Sequence, residues 1–357
     1  MESIIDAAQL GESDFEDDMD EAILLDMFNT DPIGNRAELY GRFTFDNVSN
    51  TEAKSWFRFE KDDIPRLASA LGIPETICTE NNIKLNGVDA LCILLRRFAY
   101  PNRLVDLEKI FGYSYKALSS ISNTVMMIIY DNKGHLLENL GNVPWLNESR
   151  LRAYSQAILE KGAPMNNCWG FIDGTVRPIC RPSENQEEYY SGYKKVHCVK
   201  YQSVLCPDGI VISLKGSYPG RRHDAGMLRE SGLYDELVQF TSFGNNKYVI
   251  YGDKGYGLRE LLLRPYTELE VVGHPERQNF NTIMSSLRIS VEWGFHKIVQ
   301  EFAFLDFKKN QKLLLQEIGT MYITCMILTN CHTCLYGSQT GIYFNLEPPQ
   351  LEQYLGN

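Results

Sequence analysis

The sequence predicts an α/β fold: a mixed sheet with flanking helices, preceded by a helical region that contains a helix-turn-helix-like segment. Three observations predict it. Apolar residues recur at helical spacing from residue 41 to about 140. From Cys168 the pattern changes to short apolar runs bounded by turn residues. A long helical stretch follows the last of these runs. With 357 residues, 44% hydrophobic and 23% charged, the chain has material for two globular domains with sizeable cores.

Charge divides the chain before structure does. Residues 1–40 contain twelve acids and one base, Arg36, so they carry the whole net charge of −11, and the rest is balanced at 34 acids and 34 bases. Within this stretch, Glu12 to Phe28 mixes an acidic cluster with Ile23, Leu24, Leu25, Met27 and Phe28. Such a segment cannot form a core alone and reads as a disordered tail able to pair with a basic partner. The sequence therefore divides into an acidic tail (1–40), a helical region (41–145), a sheet-bearing domain (146–340) and a C-terminal tail (341–357).

In the helical region, Asp89 is the expected N-cap of a helix to Ala99 that buries Leu91, Leu94, Leu95 and Phe98 and turns Arg96 and Arg97 away. Arg103 to Phe111 reads as a short helix, Gly112-Tyr113-Ser114 as a turn, and Ser114 to Ile129 as a longer helix presenting Tyr115, Lys116, Ser119, Ser120 and Asn123 outward. That order suits a DNA groove and equally suits a plain packing unit. In the sheet-bearing domain, Cys168–Ile172, Val196–Leu205 and Ile210–Ser217 read as strands, the last two joined by the turn Pro207-Asp208-Gly209. A helix capped by Asp224 follows. Tyr248–Gly252 and Leu269–Gly273 read as strands, Thr282–Phe302 as a long helix and Lys312–Cys334 as a buried one.

Three acids occupy suspicious positions. Asp173 follows the apolar run Trp169-Gly170-Phe171-Ile172, where a strand's edge gives way to Gly174. Asp253 ends another apolar strand between Gly252 and Gly255. Glu292 sits among Ile289, Val291, Trp293 and Phe295, an awkward address for a charge. A carboxylate-only set favours Mg²⁺ or Mn²⁺ over zinc, and two such ions can drive phosphodiester cleavage. Each acid also has a plainer role: Asp173 in a turn, Asp253 capping a strand end, Glu292 pairing with Arg288 or His296 along its helix.

Five segments in order carry a resemblance: GFIDGTVRPICRP (170–182), KVHCVKYQSVLCPDGIV (195–211), GRRHDAGMLRESGL (220–233), YGDKGY (251–256) and SLRISVEWGFHKIVQEF (286–302). Together they resemble the catalytic domain of PIF/Harbinger transposases and the domesticated nucleases derived from them, over about residues 85 to 335. The resemblance implies a ribonuclease H-like fold and a DDE endonuclease or transposase. Asp173, Asp253 and Glu292 are then its metal-binding, catalytic triad, with two Mg²⁺ or Mn²⁺ ions as cofactor and DNA as substrate. It also implies a separate Myb-like partner protein that supplies sequence-specific DNA binding and nuclear import, and it allows a homo-oligomer. Trp293, His296-Lys297 and Cys331-His332-Thr333-Cys334 depart from the family's usual residues without touching the triad.

Around the triad, Asp224 and His223 read as supporting residues, with N-capping the plainer role for Asp224. Arg221 and Arg222, Lys194 and Lys195, Arg288 and Lys116 are the candidate DNA contacts, since a neutral body with clustered bases can still present a positive groove. Cys331, His332 and Cys334 lack a second pair to complete a zinc site, and GDKGYG lacks the Lys-Ser/Thr of a phosphate-binding loop. Neither a run of apolar residues long enough for a membrane span nor a presequence is evident. Nine cysteines scattered in apolar surroundings read as reduced thiols, so the nucleus, or the cytosol, is the expected location.

Overall fold

The structure, a computed structural model, describes residues 36–313 and 315–357; the acidic segment Glu12–Phe28 lies outside them. The helical region begins with short helices and a small hairpin of β1 (Thr76–Cys78) and β2 (Lys84–Asn86). Its central helix, Gly87–Ala99, has its cap three residues earlier than the sequence suggested. The cap is Asn86, whose side chain accepts from the amides of Val88 and Asp89. Leu91, Leu94, Leu95 and Phe98 are buried as their spacing requires. Arg97, expected to turn outward, is buried as well. It donates to Asn123 Oδ1 at 3.3 Å and lies over the Phe304 ring, while its Nε finds no hydrogen-bond partner among the described residues and burial lowers its pKa to about 10.

Leu104–Phe111 and Tyr115–Lys133 form the expected pair of helices. Gly112 ends the first in a left-handed conformation (φ 69°), and Ser114 caps the second by accepting from the Ala117 amide. No helix among the described residues is long and apolar enough to cross a membrane. All nine cysteines are unpaired thiols.

The main sheet is built from β3 (Cys168–Pro178), β4 (Tyr190–Ser191), β5 (Val196–Leu205) and β6 (Val211–Pro219). Two strands later in the chain, β9 (Val249–Tyr251) and β10 (Leu262–Leu263), complete it; β7 (Ser242–Phe243) and β8 (Asn246–Lys247) form a separate hairpin. The long strands lie in the order β6–β5–β3–β9–β10. The β6–β5 and β5–β3 pairs are antiparallel and the β3–β9 and β9–β10 pairs parallel, while β4 pairs with the first two residues of β5. This is the mixed sheet expected from the sequence. Helices cover both faces: Arg177 on β3 donates to Tyr322 of the helix Ile318–Tyr336 and to the Phe295 carbonyl of the helix Pro275–Glu301. Gly174, facing the other way, meets Met227 of the helix Asp224–Ser231.

Three readings need correction. Leu269–Gly273 is not a strand; Glu268–Val271 is a short helix, opened by a capping box between Thr267 and Glu270. β3 does not end at Ile172 but continues to Pro178, because Thr175 and Arg177 find polar partners beneath the helices, so Asp173 sits mid-strand opposite Ser203. Residues 341–357 do not trail away: Leu351, Tyr354 and Leu355 are buried, and Tyr354 Oη accepts from Asn330 of the buried helix.

The hairpin turn between β5 and β6 is itself buried. Asp208 is fully enclosed, accepting from Tyr154 Oη, from Arg150 Nη2 at 2.8 Å and from the Ile210 amide at 3.0 Å. It ties the helix Glu148–Glu160 to the strands that carry the site. Asp208→Ala leaves the Arg150 charge without its partner and is expected to lower stability by about 3 kcal/mol, the low end for a broken buried pair because Arg150 keeps partial exposure. Urea denaturation of the two proteins measures the difference.

Candidate active site

The register of the parallel pair sets two acids near each other. Phe171 on β3 is paired with Tyr251 on β9, and Asp173 and Asp253 each follow two residues further on, Asp173 still within β3 and Asp253 in the loop after β9. β9 stops at Tyr251, and the loop Gly252–Gly257 takes its place beside the remaining length of β3. Asp253 turns back within this loop to accept from the Gly255 amide at 2.8 Å.

Asp173 accepts from the Gly174 amide at 2.9 Å and from Arg288 Nη1 at 2.8 Å, Arg288 coming from the helix Pro275–Glu301. Burial pushes the Asp173 carboxyl up to about 6. The Arg288 guanidinium and the Gly174 amide oppose that rise, while the negative charge of Asp253 adds to it.

Asp224 joins the same neighbourhood. The helix it opens is capped in position by His223, and Asp224 is the first helical residue with no side-chain capping bond, which corrects the N-cap reading. Its carboxylate reaches toward the sheet because two glycines leave room. A methyl group built on Gly174 would lie 3.0 Å from Asp224 Oδ1, and one on Gly255 would lie 2.7 Å from Asp224 Oδ2 and 3.1 Å from Asp253 Oδ1. Burial raises the Asp224 carboxyl, the nearby Asp253 charge raises it further, and Lys200 and His223 pull it back. Lys200, on β5, is held by the Arg222 carbonyl at 2.6 Å.

Glu292 is the third acid singled out from the sequence. It lies one turn beyond Arg288 on the same helix and is exposed, not enclosed among its apolar sequence neighbours. Among the described residues, no three His, Cys, Asp or Glu side chains form a ready metal-ion cage.

The basic candidates fall in separate places. Arg221 and Arg222 are exposed in the loop between β6 and the Asp224–Ser231 helix; with His223 and Arg229 they line an open hollow of about 550 Å³ beside Asp224. Lys194 and Lys195 are exposed in the turn before β5, and Lys116 is exposed on the first turn of the Tyr115–Lys133 helix in the helical layer. Sequence reasoning missed Tyr256, which lies fully buried against the aspartates. The only hint was its place three residues after Asp253 in a glycine-rich stretch.

Residues 172–330 match the family of DDE superfamily endonucleases. The chain is 23% identical over 204 residues to an ALP1-like protein of Arabidopsis thaliana, a match covering 54% of this chain and 48% of that protein. It is 28% identical over 127 residues to a probable transposase for insertion sequence element IS702 of Microchaete diplosiphon, covering 34% of this chain and 42% of that protein. The chain thus spans less than half the length of either relative, and no solved structure matches it. The segment that brings Asp173, Asp224 and Asp253 together lies wholly inside the stretch that matches the DDE superfamily endonucleases.

Proposed function

We propose that the protein is a divalent-metal-dependent DNA endonuclease of the DDE type that cleaves phosphodiester bonds by a two-metal mechanism, with Asp173, Asp253 and Glu292 as metal ligands. One observation carries the reading: within a segment that matches DDE superfamily endonucleases, two half-buried carboxylates interact, Asp173 on β3 and Asp253 in the loop after its parallel neighbour β9. The donor set suits a hard cation, being oxygen only, and Gly255 leaves open the space beside Asp253 Oδ1 that a side chain would fill. When bound, Mg²⁺ or Mn²⁺ supplies Lewis-acid activation of water and of the leaving oxygen.

The protein's own residues do the rest. Arg288 compensates Asp173 in the metal-free state and keeps further guanidinium donors for a phosphate. Glu292 completes the carboxylate set from the exposed side of the same helix. Arg221 and Arg222 grip the DNA backbone beside Asp224, and Lys194, Lys195 and Lys116 extend the track.

The sheet order β6–β5–β3–β9–β10 supports a ribonuclease H-like reading of residues 146–340, with 41–145 as a helical domain whose helix-turn-helix-like pair docks on DNA. Nuclear location, a homo-oligomer and a Myb-like partner protein belong to the same proposal. A domesticated nuclease that cuts without transposing has the same site.

A second reading, a module for DNA or protein interaction that has lost catalysis, draws on the Arg288 guanidinium already bonded to Asp173 and on the exposure of Glu292. Calorimetry separates the two, since a silent module takes up no Mn²⁺ through Asp173.

Nicking of supercoiled DNA that carries terminal inverted repeats tests the nuclease directly. Asp253→Asn is expected to lower the Mg²⁺-dependent rate roughly 100-fold or more, and full retention of cleavage would discard the assignment.

The raised Asp173 carboxyl gives a second check in metal-free protein. Its folded value of about 6 exceeds the reference 3.8, so its contribution to stability is complete below the lower value and is lost as pH rises through the higher one. The loss is on the order of 3 kcal/mol. Asp173→Asn should flatten the stability profile over that window, as read by urea melts at a series of pH values.

A further inference from the structure

Asp253 has two acidic neighbours, and they approach it from different sides. Asp173 comes from the face of β3 that looks toward Arg288, whereas Asp224 reaches in past Gly174, which points to the opposite face. Asp173 already has a cation and a backbone amide. Asp224 has neither: among the described residues its carboxylate accepts no hydrogen bond, although it is largely enclosed. The nearest positive groups are Lys200, whose ammonium is directed to the Arg222 carbonyl, and the exposed His223.

An independent feature marks the same spot. The Tyr256 side chain is 0% exposed, and its hydroxyl finds no hydrogen-bond partner among the described residues. Its charged neighbours are Asp224, Asp173, Asp253 and Arg288. A buried hydroxyl that feels three carboxylates and bonds to none of them is suited to a group bound beside them. Gly252 and Gly255 keep that space open; a methyl on Gly252 would strike the Tyr256 ring at 2.7 Å, and a methyl on Gly255 would enter between Asp224 and Asp253.

We infer that Asp224 is a metal ligand in its own right, sharing a divalent cation with Asp253, with the Tyr256 hydroxyl held for the water that this cation carries. The inference rests on the metal-dependent reading above and adds a fourth carboxylate to it. It assigns Asp253 to both cations, between Asp173 on one side and Asp224 on the other. It also gives a physical reason for glycine at 174 and 255, where any side chain would push the Asp224 carboxylate aside.

Calorimetric titration of Mn²⁺ into the full chain tests it, with bound Mn²⁺ counted by electron paramagnetic resonance. Asp224→Asn is expected to lose one bound ion, or to weaken Mn²⁺ binding at least tenfold, with its metal-free melting temperature preserved. Gly174→Ala alters no carboxylate and would crowd Asp224 Oδ1 alone. It is expected to weaken the same ion, and it serves as the readout if Asp224→Asn does not fold. Tyr256→Phe should leave the stoichiometry intact and weaken binding a few-fold. Binding by Asp224→Asn and Gly174→Ala equal to that of the unsubstituted protein, with loss in Asp173→Asn, would overturn the role of Asp224 and leave the nuclease reading standing. No Mn²⁺ binding by the unsubstituted protein would overturn both.

Discussion

The structure around the site is governed by one constraint: several like charges must share a small, partly dry space. Two carboxylates 4 Å apart repel by about 4 kcal/mol at the effective dielectric of a protein surface, and burial adds a desolvation cost. The fold meets this locally. Backbone amides of Gly174 and Gly255 bond Asp173 and Asp253, and Arg288 neutralises Asp173 from a helix far along the chain. The compensation is incomplete, as the upward displacement of both Asp173 and Asp224 shows. An ensemble of acids left in this state is poised to take up positive charge.

Placing those acids requires the whole sheet. The β3–β9 register sets Asp173 near Asp253, and the early end of β9 opens the side of β3 to the glycine loop. The β5–β6 hairpin delivers the chain to His223 and Asp224, and its turn is locked by Asp208 to Tyr154 and Arg150. The helix Pro275–Glu301 lies along β3 so that Arg288 meets Asp173 while Phe295, two turns on, meets Arg177. A shift of one residue in any of these registers would send a carboxylate to the wrong face.

Much of this was legible in the sequence. The hairpin at Pro207-Asp208-Gly209, the strand before Asp253 and the buried final helix follow from turn chemistry and apolar periodicity. Val271 and Val272 misled because paired β-branched residues imitate a strand, although the Thr267–Glu270 capping box was present to be read. The end of β3 was misplaced because Thr175 and Arg177 are polar, and only tertiary partners explain why they are buried. Asp253 was placed correctly at the end of its strand, whereas the relation of Asp224 to it depends on two glycines contributed by different segments, which no local pattern encodes. Glu292 looked buried from its neighbours' character, but helical geometry turns it outward between them.

The arrangement of charge beyond the aspartates also follows from how the site is built. Beyond the aspartates, Arg221, Arg222 and Arg229 line a hollow whose wall also carries Glu188, and Arg222 is paired with Glu230 at 3.3 Å. On the proposed reading, a polyanion approaching this surface would be attracted to the arginines and repelled by the unneutralised aspartates. Cation uptake, on the same reading, would offset the negative charge of the aspartates while leaving the arginines of the hollow unchanged. A metal at Asp173 would, on the proposed reading, release the Arg288 guanidinium toward a phosphate, so that filling the site and gripping the backbone would be coupled through a single side chain.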